Sequence, residues 1–208
     1  MEEEELEDAI MPIRLDLQGP LEIPTNEHRS QYIWNMWYSN RSTKRNYDQN
    51  LRLISRWGTV EGFWRHYQWL KRPSYLTLQS DYHLFKEGIK PMWEYPSNVN
   101  GGKWKLCLRK GIIDRCWENL LMAVVGEQFE VGDEICGIVV SVRNQEDNLA
   151  IWNKSANDQR TVESIRKKLI EVLQLPNNTL LEYKTHNQAL KEAWRGHKVF
   201  SSSTQKML

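Results

Sequence analysis

Ile135-Cys136-Gly137-Ile138-Val139-Val140-Ser141-Val142-Arg143, followed closely by Asn148-Leu149-Ala150-Ile151-Trp152-Asn153, decides the fold. The first run is dense in β-branched side chains, which suit a pleated, half-buried surface. The second follows across a short polar turn and reads as its hairpin partner. Strands joined so closely must be antiparallel, because a parallel pair needs a crossover of about a dozen residues.

Working outward, Tyr32 to Tyr38, Leu51 to Trp57, Tyr82 to Lys86, Ile89 to Glu94, Lys103 to Lys110 and Thr179 to Thr185 read as further strands. Tyr95 to Gly102 reads as a polar loop in which Gly101-Gly102 supplies positive φ. Helical spacing predicts three helices. Thr59 caps the first, from Val60 to about Leu70, with Phe63, Tyr67 and Leu70 inward and Val60 and Trp64 on a flank. Asp114 caps the second, to about Gly126; Trp117, Leu120, Leu121 and Val124 face inward, while Glu118 and Met122, four apart, share the outer face. The third spans about Asp158 to Leu173, with Val162, Ile165, Leu169, Val172 and Leu173 inward. Strands outnumber helices, so the class is α+β, with a largely antiparallel sheet covered on one face. The other face is left for a ligand.

The 208 residues suit one domain, with 40% apolar and 26% charged residues as in ordinary globular chains. The expected division is an acidic mobile tail over 1–27, a single domain over 28–186 and a basic, Ser-rich segment over 187–208. The acidic start is no secretory signal, and no apolar run reaches the roughly 18 residues of a membrane span. The expectation is a cytoplasmic protein. Cys107, Cys116 and Cys136 show no metal-ligand spacing and read as buried thiols. Gly102-Lys103 lacks the upstream glycine of a phosphate loop, with Ser97 in its place, and Trp104 replaces the metal-binding hydroxyl. The histidines form no HExxH and the serines no GxSxG, so no enzyme, metal or cofactor is expected.

The composition anomaly is ten tryptophans, more than packing needs. One of them stands in Pro91-Met92-Trp93-Glu94, where a large ring adjoins a carboxylate. A purine offers a face for stacking, and guanine adds two N–H donors that one carboxylate can accept. Between Lys103 and Arg115 lie five basic residues and a single acid, Asp114. Rings interleaved with cations are the pattern of nucleotide or single-strand recognition.

Over about residues 30–186 the chain closely resembles the translation initiation factor 4E family, which binds the 7-methylguanosine cap of messenger RNA. The resemblance rests on Asn50 to Ser55, Thr59-Val60-Glu61-Gly62-Phe63-Trp64, Leu84 to Glu94, Gly101-Gly102-Lys103-Trp104, Gly126-Glu127, Cys136 to Arg143 and Ile151-Trp152. It implies a single curved eight-stranded antiparallel sheet with three helices on its convex face and the cap held on the concave side. By this resemblance Trp93 and Tyr47 stack on the base, Glu94 reads its edge, Trp152 contacts the N7-methyl group, and Arg143 and Lys103 bind phosphates. The family usually has tryptophan where Tyr47 stands, and many members have lysine where Asn148 stands. Tyr47, Arg115 to Leu120 and Asp133 to Cys136 look like the 4E-homologous branch, often translational repressors. Val60, Trp64, Glu118 and Met122 match the dorsal surface that takes a partner helix bearing a tyrosine and a leucine. The family's His-Pro-Leu lead-in to that surface reads His28-Arg29-Ser30 here. The reading is a monomer binding capped mRNA, message-selective with repressor character. The alternatives are a working initiation subunit and a protein-interaction adaptor with weak cap affinity.

Overall fold

The computed structural model describes residues 19–41, 47–176, 178–188 and 190–191. The hairpin read from Ile135 onward is present. Strands β1 (Arg29–Asn40), β2 (Arg52–Thr59), β3 (Ser80–Lys86), β4 (Gly102–Arg109), β5 (Ile135–Ser141), β6 (Glu146–Asn153) and β7 (Leu181–Thr185) form one curved sheet. Their spatial order is β2-β1-β3-β5-β6-β4-β7, and every neighbouring pair is antiparallel. Among the described residues the helices are a single turn, α1 (Tyr47–Asn50), then α2 (Val60–Tyr67), α3 (Ile113–Val125) and α4 (Gln159–Leu173), with short 3-10 turns between elements; residues 186–188 and 190–191 are helical as well, so the helices exceed the three expected.

The sheet has seven strands among the described residues, not eight. The expected strand over Ile89 to Glu94 is absent. Pro91 has no N–H to give a ladder, and the segment folds into turns in which Met92 N–H donates to Lys90 O and Tyr95 N–H to Met92 O. The Asn98 side chain donates to Lys90 O and Met92 O at 2.8 and 2.7 Å, taking carbonyls a strand partner would have used.

Alternation along the strands sends side chains to two separate apolar clusters. Trp34, Met36, Leu84, Ile138, Val140, Ile151, Trp104 and Leu106 meet Phe63, Trp117, Leu120, Leu121, Ile165 and Leu169 of the helices in the main core. On the opposite, open face lies a smaller floor of Phe85, Ile89, Cys136, Val139 and Trp152, with Trp93, Tyr95 and Ala150 against it. An irregularity in pairing between Ile135 and Gly137 lets Ile135 join the core while Cys136 joins the floor. Gly137 is required there, since a Cβ would lie 2.5 Å from the Phe85 ring.

The helix stripes fall as the spacing predicts, but two local readings change. Thr59 does cap α2, its hydroxyl accepting from Gly62 N–H, and Asp158 caps α4. Asp114 does not cap α3; Ile112 stands at the cap, and Asp114 accepts from Ser74 N–H at 2.8 Å and Ser74 Oγ at 2.6 Å. Gly101 and Gly102 are not positive-φ residues; they admit a close approach, since a Cβ on Gly101 would lie 2.0 Å from Asn153 O. Cys107 is exposed, whereas Cys116 and Cys136 are buried. Outward alternation on β4 puts Cys107 on the open face.

Residues 1–18 and 192–208, the bulk of the expected acidic tail and basic segment, lie outside the described residues. Within the described part of the tail, Gly19 O accepts from Arg56 Nη1 and Glu27 accepts from Thr59 Oγ1. No helix among the described residues is long and apolar enough to cross a membrane.

Candidate nucleotide-binding site

Register turns the open face into rows. Phe85, Gly137, Trp152 and Lys103 stand in one row; His83, Val139, Ala150 and Lys105 in the next; Asp81, Ser141, Asn148 and Cys107 in a third. Above them Arg41, the turn bearing Tyr47 and the loop after β3 border a cavity of about 580 Å³. Tyr47, Trp93, Glu94, Trp152, Lys103 and Arg143, scattered over more than a hundred positions in sequence, all line it.

At the aromatic end, Trp93 packs on the floor and Trp152, 4% exposed, lies between Phe85 and His186, with ring centroids at 5.3 and 4.2 Å. The Lys103 ammonium sits 5.4 Å from the Trp93 ring and 5.6 Å from the Trp152 ring. Tyr47 arrives on α1 and is held edge-on to His83. Its hydroxyl donates to Pro91 O at 2.9 Å, and Lys90 Nζ pairs with Asp48 at 3.4 Å. These two bonds tie the turn bearing one ring to the loop bearing the other. Glu94 is exposed at the cavity wall.

The other end is cationic and built around Asp81, which is fully buried. Arg143 Nη2 donates to Asp81 Oδ1 at 2.6 Å and Arg41 Nε to Oδ2 at 3.0 Å. Burial works to raise the Asp81 carboxyl, but His83, Arg41 and Arg143 outweigh it and hold it below its ordinary value. Arg143 also donates to Ser80 O and Val142 O, so its guanidinium is fixed before any ligand arrives. Burial, then Arg41, Lys105 and Lys184, push Lys103 down to about 8. Burial likewise lowers His83 to about 4 and His186 to about 3, so both rings are neutral at physiological pH. Asn148 lines the cavity and accepts from Cys107 Sγ at 3.2 Å.

The sequence reading missed Arg41, Asp81, His83, Lys105 and His186. Lys105 had a legible signal, since it stands two residues from Lys103 on a strand. Asp81 and His83 had none, being polar residues in a strand whose every residue is buried.

The remaining predicted residues lie on the helical side. Val60 is 47% exposed, Trp64 46% and Met122 36%, and Glu118 is exposed as well. Tyr67 joins the two helices, its hydroxyl donating to Glu118 at 3.2 Å while its ring stands edge-on to Trp64. His28 is exposed on this side. It pins the start of α2, with its N–H donating to Glu61 at 2.9 Å and its ring Nδ1 2.6 Å from the same carboxylate. That bond raises the His28 pKa, and with the surrounding backbone bonds lowers Glu61 to about 2.

A cavity with rings and an exposed carboxylate at one end and cations at the other defines a class, the single-sheet proteins that take a planar base with an anionic tail. The chain belongs to the eukaryotic initiation factor 4E family, whose model matches residues 29–199. It is 44% identical to eukaryotic translation initiation factor 4E-4 of Caenorhabditis elegans, over 82% of each chain. It is 42% identical to translation initiation factor NCBP of Triticum aestivum, over 76% of this chain and 69% of that one. Among solved structures, C. elegans eIF4E-3 in complex with the 4E-binding protein Mextli and a cap analogue superposes with a TM-score of 0.77 at 38% identity, covering 80% of this chain and 96% of that one. Ascaris suum eIF4E-3 with an m2,2,7G cap gives 0.74 at 38% identity, covering 77% and 92%. Members of this family are translation factors and not enzymes.

Proposed function

We propose that the cavity binds the 7-methylguanosine cap of messenger RNA. The observation that supports this most is the convergence of Tyr47, Trp93 and Glu94 on one cavity whose far end holds Lys103 and Arg143. N7 methylation makes guanine cationic, so a ring on each side adds a cation–π term of ~0.5–2 kcal/mol to stacking of ~1–3 kcal/mol per base. Glu94 accepts from N1–H and N2–H, a donor pair that adenine lacks. Trp152 meets the N7-methyl group, and the cations take the phosphates. The relatives held with cap ligands support the same use. Titrating tryptophan fluorescence with 7-methyl-GTP and with GTP tests it: strong preference for the methylated ligand is expected, and equal weak quenching by both would defeat it.

The chain acts as a cytoplasmic monomer that occupies the cap of particular messages with repressor character. Tyrosine at position 47 supports this, because it gives less ring area than the family's usual tryptophan. On the dorsal side, Val60, Trp64 and Met122 take a partner helix presenting a tyrosine and a downstream leucine. Exposure of Val60 and Trp64 favours a second reading as well, a working subunit that recruits the initiation scaffold. Pull-down with a scaffold peptide separates the two: tight binding lost in Trp64→Ala would sink the repressor reading.

A further inference from the structure

The open face of β4 continues past the cavity. Alternation sets Lys103, Lys105, Cys107 and Arg109 in one line on that face, half-buried at the first two positions and exposed at the last two. Lys103 and Lys105 line the cavity. Arg109 lies one register step beyond the row of Asp81, Asn148 and Cys107, opposite Glu146. On the outer side, β7 places Lys184 opposite Lys103 and Glu182 opposite Lys105, and Glu182 spends its charge on Lys184 at 3.3 Å.

Two groups of cations therefore leave the aromatic end. Arg41 and Arg143 are gathered onto Asp81 in the third row. The β4 line runs on instead toward solvent. Burial first, and then the like charges of Arg41, Lys105 and Lys184, disfavour the protonated form of Lys103 in the free protein, and a polyanion relieves the second of these costs. A nucleotide's own phosphates are met by the cations inside the cavity.

We propose that the β4 line is the path of the RNA chain that follows the cap, its phosphates passing from Lys105 to Arg109. This rests on the cap-binding reading and adds a polynucleotide contact to it. Such a contact releases counterions, so the slope of log affinity against log salt grows by about 0.7 for each further phosphate neutralised on a single strand.

The test measures the full chain's affinity for 7-methyl-GTP, for GTP, and for a short capped RNA across a salt series. The capped RNA should bind more tightly than 7-methyl-GTP and with the steeper slope. Arg109→Ala should lower the capped-RNA slope by about 0.7 and leave the 7-methyl-GTP slope unchanged, and Arg109→Lys should restore it. A common slope for both ligands, or an equal change in both on Arg109→Ala, overturns the path while the cap site stands. Absence of preference for 7-methyl-GTP over GTP overturns both.

Discussion

The open face and the helical face of the same sheet solve recognition in opposite ways. On the open face two anchoring groups are already bonded: Asp81 is fully buried between two guanidiniums, and Tyr47 is tied to Pro91. On the helical face the groups offered are apolar and solvated, with Val60 and Trp64 each nearly half exposed and the His28–Glu61 pair in water. The first arrangement suits a small ligand of fixed shape, because its geometry is set before binding and little entropy remains to be lost. The second suits a partner that supplies its own shape and gains by covering exposed rings.

If the open face is the preorganised one, Glu94, the carboxylate proposed to read the base, is its most sensitive position. Glu94→Ala removes two charge-assisted bonds, and m7GTP affinity should fall by about 3 kcal/mol, more than a hundredfold. Fluorescence titration reads this directly, and undiminished selectivity over GTP in the variant would refute the site. Asp81→Ala leaves Arg41 and Arg143 facing one another without their carboxylate, so urea denaturation should show a loss of about 2–3 kcal/mol. An equally stable variant would mean the guanidiniums are not held by that pair. Trp64→Ala sharpens the comparison from the other side: affinity for a tyrosine-and-leucine helical peptide from a partner other than the initiation scaffold should fall by about 2 kcal/mol with cap-analogue binding unchanged. Coupled loss of both would mean the two faces are not independent.

A subtler probe of Glu94 is the m2,2,7G cap, in which both N2 hydrogens are replaced. Losing one charge-assisted bond predicts roughly tenfold weaker binding than the m7G cap, to be measured in parallel titrations. Equal affinity would show that Glu94 does not use N2–H.

The smallest expected effect is on pH. Lys103 is lowered to about 8 in the folded chain, chiefly by burial, so cap-analogue affinity should decline several-fold as pH rises through that value. Stability moves the other way. Between about 8 and the ordinary lysine value the unfolded chain binds the extra proton, so stability rises with pH across that window. Lys103→Met should flatten both profiles.

Legibility followed locality. The β5–β6 hairpin and the stripes of α2, α3 and α4 were readable because periodicity is local, repeating within a few residues. Thr59 was a readable cap for the same reason, whereas Asp114 looked like one until Ser74, forty residues away, took its oxygens. The Ile89 to Glu94 segment carries apolar residues and a ring like a strand, yet a strand also needs a neighbour. Asn98 and the turn around Pro91 used its hydrogen-bonding groups instead.

The sequence by itself determined that a sheet with an open face would exist and that Trp93 and Glu94 would stand side by side, because the two-residue alternation follows from local backbone geometry and chain adjacency is covalent. Only the tertiary structure decided that Tyr47 reaches Pro91 across 44 positions, and that Arg41 and Arg143 share Asp81 across 40 and 62. It alone set His186 against Trp152 and Lys103 between two rings. Those contacts depend on strand order and register, which bring distant segments together once the whole hydrophobic core has formed, and no short-range pattern encodes them.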